Sequence, residues 1–238
     1  DVVTTSEIVY LPATLNKQSA LFFVRDEKNA LAQTIHTYYQ NKNVNDFEPE
    51  TFIKNWLREL NIGDDIKIEL IEDEAYKVDI IKDGLSISLA DKGMGAIQGT
   101  LLILRLASLI RKHKRDEEKL EVNDISDKKN YIVVLEEPEL NLHPALQSKL
   151  CDLFYHVYKK YQIEFIIETH SEYMIRKTQL HVKTDELMVW PNQNVFSVIY
   201  FDEIEGSYPM EYREDGKFKN DFGSGFFDET RNIVKQML

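Results

Sequence analysis

The chain has 238 residues, 43% of them hydrophobic, and carries 29 basic against 41 acidic side chains for a formal net charge of −12. That length and apolar content suit one domain, or a large domain with an appendage, and exclude a disordered chain. The acidic balance argues against a general nucleic-acid-binding surface.

The opening DVVTTSEIVYLPA has neither the charged start nor the apolar core of a signal peptide, and it lacks Met, so the chain is expected to be a fragment of a longer protein. Residues 7–11 read as a short strand closed by Pro12, and 16–26 as a polar loop. Leu31, Ile35 and Tyr38/Tyr39 recur at helical spacing over 28–40, with a polar break at 41–46. Pro49 suits the first turn of a helix running to Leu60, with Phe52, Ile53, Trp56 and Leu57 on one face and Asn61-Ile62-Gly63 as its stop. Alternating apolar and polar residues over 66–71 and 76–81 predict a hairpin with one wet face. A turn at Lys82-Asp83-Gly84 leads to a third strand over 85–89.

The glycine-rich stretch ADKGMGAIQG then feeds a nearly all-apolar helix over 95–113, expected to be buried against a sheet. No apolar run approaches the ~20 residues that span a bilayer. The longest, 96–110, is interrupted by Arg105, and no membrane association is expected. The mixed charges of 111–130 read as a solvated helix end and loop. The apolar run Ile132-Val133-Val134-Leu135 is the next strand, and 144–161 is an amphipathic helix carrying Cys151. As the only cysteine, Cys151 excludes an internal disulfide, all but excludes a Cys-based zinc site, and fits a reducing cytoplasm. A second apolar strand, 163–167, precedes a helix over 171–180. Strand, helix and strand with near-continuous apolar strands argue for a parallel sheet with a right-handed crossover. From 186 the texture turns to β, with strands expected at 187–190, 196–202 and 208–212, a turn at Asp215-Gly216 and a last helix over 226–238.

Two strands thus deliver polar groups to one sheet edge, which is where open α/β sheets place their chemistry. The first ends on Glu136 and Glu137 and continues as PELNLHPA; the second ends on Glu168, Thr169, His170 and Ser171. Inside a strand, adjacent glutamates would point to opposite faces and one would enter the core; at a strand end both can turn to a ligand. Two such carboxylates, one holding Mg²⁺ through water and one polarising the attacking water, suit phosphoanhydride hydrolysis. A bare pair of glutamates after a strand is more often a solvated acidic turn, and EEPE followed by NLHP is the more specific signal. A neutral His170 can donate to a terminal phosphate, although a lone histidine there is more often structural; Ser171 suits a helix cap. Gly93, Gly95 and Gly99 allow an anion to approach free N–H groups at a helix start, a weak signal by itself. No G-x-x-x-x-G-K-[ST] phosphate loop occurs in the sequence.

The order of these motifs resembles the C-terminal half of an ABC-type ATPase head of the AAA family, as in bacterial SMC-like, RecF-like and OLD-like proteins. IVVLEEPE resembles Walker B, with Glu136 at the usual aspartate position as the metal-side ligand and Glu137 as catalytic glutamate. The Glu-Glu pair departs from the usual pattern, although OLD-like relatives tolerate it. ELNLHP looks like the D-loop, with Asn141 and His143 near a dimer interface. IIETHS looks like the switch-histidine motif, with His170 as γ-phosphate sensor. SLADKGMGAIQG looks like a degenerate signature motif, in which Gly93, Gly95, Ala96 and Gln98 would serve a partner's nucleotide. The resemblance implies Mg²⁺ with ATP as cofactor and a homodimer of head-to-tail heads. It also implies an associated effector protein; nucleic acid would be reached through the full-length protein and is not favoured by the acidic charge. The tail, VIYFDEIEGSYPMEY onward, resembles C-terminal domains of bacterial ATPases associated with anti-phage defence or mobile elements.

The expected fold class is α/β: an incomplete parallel-sheet P-loop NTPase-like core with an antiparallel hairpin region and a β-rich C-terminal appendage. The expected organisation is a helical segment over 1–65, an ATPase core over 66–185 and the appendage over 186–238, in a cytoplasmic protein. Competing readings are a non-catalytic interaction domain that does not bind ATP alone, a nuclease of the OLD type, and a metallohydrolase built from Glu137, His143 and His170. The tail offers Asp202, Glu203 and Glu205 but no D-x-D for a nuclease, and the three metallohydrolase residues follow no recognised ligand spacing.

Overall fold

The computed structural model describes residues 5–11, 19–42, 46–123, 129–185, 194–202, 204 and 206–237. The strand expected at 187–190 lies outside them, as do parts of the expected loops at 16–26 and 41–46. The chain forms two compact units, Asp1–Thr169 and His170–Leu238.

In chain order the first unit contains β1 (Thr5–Leu11), β2 (Phe22–Phe23), α1 (Ala30–Gln40), α2 (Glu48–Glu59), β3 (Asp65–Ile71), β4 (Ala75–Lys82), β5 (Leu85–Ser88), α3 (Met94–Asn123), β6 (Lys129–Glu136), α4 (Pro144–Tyr161) and β7 (Ile163–Glu168). The strand β1 is where the short run closed by Pro12 predicts it. Within the expected loop, Phe22 and Phe23 instead form a short strand pairing with Tyr76 and Ala75 of β4. Asn29 caps α1 by accepting from the Leu31 and Ala32 N–H groups, both at 3.1 Å. Pro49 sits in the first turn of α2 beside Glu48 and Glu50, and Arg58 closes its last turn, an arrangement that suits the helix dipole. The β3–β4–β5 meander is antiparallel. Its second turn is the two-residue Asp83-Gly84 loop, with both residues at positive φ (52° and 77°), the conformation a tight hairpin needs.

The helix α3 extends well past the expected end at 113. Ile97, Ile103, Leu104, Ala107 and Ile110 are buried along it. Over Met94–Glu118 it is long and apolar enough to cross a membrane by length and composition, contrary to the reading of the sequence, but 67% of its most apolar stretch is buried inside the protein, as in a core helix. Two residues of the run expected to be solvated are also buried. Arg111 is 1% exposed. It donates to Glu50 at 3.1 Å and to the Tyr38 carbonyl, and its guanidinium lies 5.1 Å above the Tyr38 ring. His113 packs edge-on against Tyr131 at 5.3 Å. The charge is tolerated in the core because it is paired and stacked.

The strands β1, β6 and β7 form a parallel sheet in that order. Its register puts Val9, Val133 and Phe165 in one row of one face, with Tyr131, Leu135 and Ile163 buried on the same face. Phe165 meets Phe154 of α4 at 5.0 Å, and the Tyr131 hydroxyl donates to Asp116 of α3 at 2.6 Å. The opposite face is open to solvent. On it Ile8 is 66%, Tyr10 54% and Ile166 60% exposed, so the near-continuous apolar runs of β6 and β7 are not buried on both faces.

In the second unit, α5 (Glu172–Thr184) starts at Ser171, whose hydroxyl accepts from the Met174 N–H at 3.3 Å. An antiparallel pair follows, β8 (Val198–Asp202) and β9 (Gly206–Met210). Gly216 has φ +79°, and a Cβ there would lie 2.1 Å from the Gln179 carbonyl oxygen, so the turn at this position requires glycine. Tyr200, Phe222, Phe226 and Phe227 pack ring against ring. The last helix, α6 (Glu229–Gln236), starts three residues later than its pattern predicts.

Glu48 joins three helices of the first unit. It meets Lys114 of α3 at 2.7 Å, Lys160 of α4 at 2.6 Å and the Tyr161 hydroxyl at 3.0 Å. Burial pushes its carboxyl up, but hydrogen bonds from Lys114, Lys160 and Tyr161 outweigh that and hold it at about 2, against an ordinary 4.5. A depressed carboxyl contributes stability above its unfolded-state value, and that contribution is lost as pH falls from about 4.5 through about 2. The difference is worth at most about 3 kcal/mol. Glu48→Gln is expected to be less stable than the parent at neutral pH and to lose less on acidification, as read by urea unfolding across that window. Parallel acid profiles for the two proteins would show that the Glu48 junction contributes no pH-dependent stability.

Candidate functional site

β6 and β7 end together. Glu136 and Glu168 are register partners, on the open face at the C-terminal edge of the sheet. The next N–H, that of Glu137, donates to the Glu168 carbonyl at 3.0 Å and extends the ladder by one bond. There the chain leaves the strand: Glu137 has φ +40°, in the left-handed region. Holding a non-glycine residue there costs roughly 1–3 kcal/mol, a strain that concentrates at functional sites. The turn after β6 closes through Leu140 N–H to the Glu137 carbonyl (3.1 Å) and Leu142 N–H to the Glu139 carbonyl (3.0 Å), with Asn141 also left-handed at φ +63°. Glu136 and Glu137 are both half-buried, and neither enters the core.

Two groups near these acids were not singled out by the sequence reading. The Tyr10 hydroxyl donates to Glu136 Oε1. That bond, together with burial and the charges of Glu136 and Glu168, pushes the phenol pKa up. The signal was present in the alternation of β1: in register, Tyr10 lies beside Val134, one pleat before Glu136 on the same face. Glu139 is 7% exposed, and its carboxylate accepts from the Thr169 hydroxyl at 2.7 Å. Nothing in the EEPE string distinguishes this buried third acid from its half-buried neighbours.

The structure brings the glycine-rich segment against the turn. Gly93 opens α3, its carbonyl accepting from the Ala96 and Ile97 N–H groups at 2.9 and 3.2 Å. A Cβ on Gly95 would lie 2.5 Å from the Asn141 carbonyl oxygen and 3.2 Å from Leu142 Cδ2, so this approach requires glycine. Ala96 and Gln98 are half-buried in the first turns of α3. His143 is exposed and caps α4, with Nδ1 accepting from the Ala145 N–H at 3.3 Å. His170 is the exposed first residue of the second unit and follows Thr169 directly in the chain.

The carboxylates of Glu136, Glu137 and Glu168 are hard oxygen donors, which fit Mg²⁺ better than a soft metal. One hollow, of about 790 Å³, lies within the second unit between Arg176, Lys183, Lys217 and Phe222. Another, of about 580 Å³, lies beside Trp56 and His156. Neither contains Glu136 or Glu137. Because its backbone is left-handed, Glu137→Gly is expected to stabilise the fold by about 1 kcal/mol while Glu137→Ala does not. Urea titration of the two variants checks this; equal midpoints would mean that the turn holds no strain.

No curated protein matches the sequence. Similar solved structures include one from work on ATP-driven dimerization and DNA stimulated activation of SMC ATPases, at 10% identity and TM-score 0.44 over 79% of this chain and 90% of that one. The Smc head domain with an extended coiled coil, bound to the C-terminal domain of ScpA and derived from Pyrococcus furiosus, has 12% identity and TM-score 0.40 over 79% of this chain and 37% of its own. The Smc head domain with a coiled coil and joint from Pyrococcus yayanosii has 10% identity and TM-score 0.43 over 79% and 29%. The chain thus spans only 37% and 29% of the two Pyrococcus structures. The AAA ATPase domain family matches residues 13–175, well over half of the chain. This α/β protein, with its parallel-sheet core of P-loop NTPase type, therefore belongs to the AAA ATPase domain family.

Proposed function

We propose that the chain supplies one wall of a composite ATP site and that ATP gates the association of two such heads. The observation that carries this reading is the β6–β7 edge, where Glu136 and Glu168 sit level and Glu137 is turned off the strand by a left-handed backbone. Glu137 is the general base, drawing a proton from the water that attacks the terminal phosphate. Glu136 faces the metal side through water, with the Tyr10 hydroxyl fixing its carboxylate. Mg²⁺, when bound with ATP, supplies neutralising charge to the phosphates. His170, next after Thr169, donates to the γ-phosphate. Gly93, Gly95, Ala96 and Gln98 serve the nucleotide held by the partner head, and Asn141 and His143 lie towards that partner. The process this drives is anti-phage defence or DNA maintenance, a reading supported by the family resemblance of the C-terminal tail.

Supplied with a phosphate-binding loop, the parent is expected to release phosphate from ATP. Glu137→Gln should lower that rate by about two to four orders of magnitude, the usual contribution of a general base. It should also accumulate an ATP-bound dimer, read by light scattering on a sizing column. Turnover left intact by Glu137→Gln would reject the base assignment. Titration calorimetry of this chain alone with Mg·ATP separates a shared site from a self-sufficient one: weak or absent heat is expected, and tight binding would show that the chain holds ATP by itself.

A further inference from the structure

Glu139 is a buried carboxylate that the proposed reaction does not use. It sits midway along a continuous set of contacts within the first unit. At one end, Gly95 in the first turn of α3 packs against the Asn141 carbonyl with no room for a Cβ. The Leu142 N–H, one residue on, donates to the Glu139 carbonyl at 3.0 Å. The Glu139 side chain then accepts from the Thr169 hydroxyl at 2.7 Å. Thr169 is the residue between Glu168, whose carbonyl takes the Glu137 N–H, and His170. The turn carrying Glu137 is therefore fastened to the end of β7 both through backbone and through the Glu139–Thr169 bond. The side-chain bond is charge-assisted and largely out of water, the setting in which a hydrogen bond fixes geometry most strongly.

We infer that Glu139 and Thr169 are positioning residues: their hydrogen bond sets Glu137 relative to the segment leading into His170 and links both to the start of α3 at Gly95. A displacement of Asn141 or Gly95 is then passed to the catalytic end of β7 through Glu139. Neither residue touches the reacting atoms. The inference rests on the proposed roles of Glu137 and His170, while the bond and its mechanical effect do not.

Amide hydrogen exchange of the 238-residue chain, without nucleotide, tests the mechanical part. Thr169→Val keeps the shape and removes the hydroxyl; Thr169→Ser keeps the hydroxyl. The Val variant is expected to speed exchange of the Glu137, Leu140 and Leu142 amides about tenfold, the scale of one lost charge-assisted bond, while the Ser variant stays near the parent. The Val133 and Ile166 amides report general loosening and should not change. Gly95→Ala should speed exchange at Thr169 and His170 in the parent background and not in Thr169→Val. Unchanged rates in Thr169→Val, equal rates in Val and Ser, or a Gly95→Ala effect that survives Thr169→Val would each overturn the inference. If Val133 and Ile166 also loosen, Glu139→Gln, which keeps an acceptor in place, decides between the outcomes by the same amides. In the ATP-hydrolysing assembly, Thr169→Val should lower kcat with KM for ATP unchanged, and Thr169→Ser should restore it; an unchanged kcat, or no rescue by Ser, would overturn the positioning role. Loss of the base assignment shows separately, as an active Glu137→Gln.

Discussion

The parallel, in-register pairing of β6 with β7 is the constraint on which the acidic edge depends. Parallel partners advance together, so strands that start level end level, and Glu136 and Glu168 reach the same height on the same face. The ladder then takes one more bond, from the Glu137 N–H, before the chain must turn away. Satisfying that bond and leaving the sheet within one residue requires a left-handed backbone, and the residue that accepts it is a glutamate where glycine would cost less. The strain at Glu137 is thus a consequence of the pairing.

Beneath this edge the helices are held by charge as well as by apolar packing. Arg111 is buried between Glu50 and Tyr38, and Glu48 gathers Lys114, Lys160 and Tyr161 from two other helices. Such groups contribute through geometry: breaking the pair would leave a buried guanidinium uncompensated, which disfavours arrangements of α1, α2 and α3 that separate Arg111 from Glu50 and Tyr38. The start of α3 inherits that definition and presents Gly95 to the turn after β6 at a separation only glycine permits.

Much of this was legible in the sequence, because the signals were local. Pro144 and the apolar stripe to Tyr161 mark the bounds of α4, Asp83-Gly84 marks the β4–β5 hairpin, and the order of the acidic strand, the NLHP segment and the histidine strand marks the family. What was hidden depended on which chain segments meet. Burial of Arg111 required knowing that α1 and α2 pack on α3 there, and burial of His113 that Tyr131 of β6 meets it; a charged run alone reads as solvated. Tyr10 became a partner of Glu136 only once β1 was placed beside β6 and not elsewhere. Glu139 looked like its neighbours until the turn folded it under Thr169.

The open sheet face has a bearing on how the molecule behaves in concentrated solution. Ile8, Tyr10 and Ile166 form an apolar strip in water, flanked by two strands whose outer edges have no strand partner among the described residues. Such edges invite pairing with other chains unless charge is placed on them. On β7 that charge is Glu164 and Glu168, both exposed on the same face as Ile166. One carboxylate at the acidic edge therefore has a second effect, as a guard against strand-to-strand aggregation. Acid, high salt or a bound divalent cation each weakens that guard, so filling the edge with metal also leaves the exposed strip less protected from other copies.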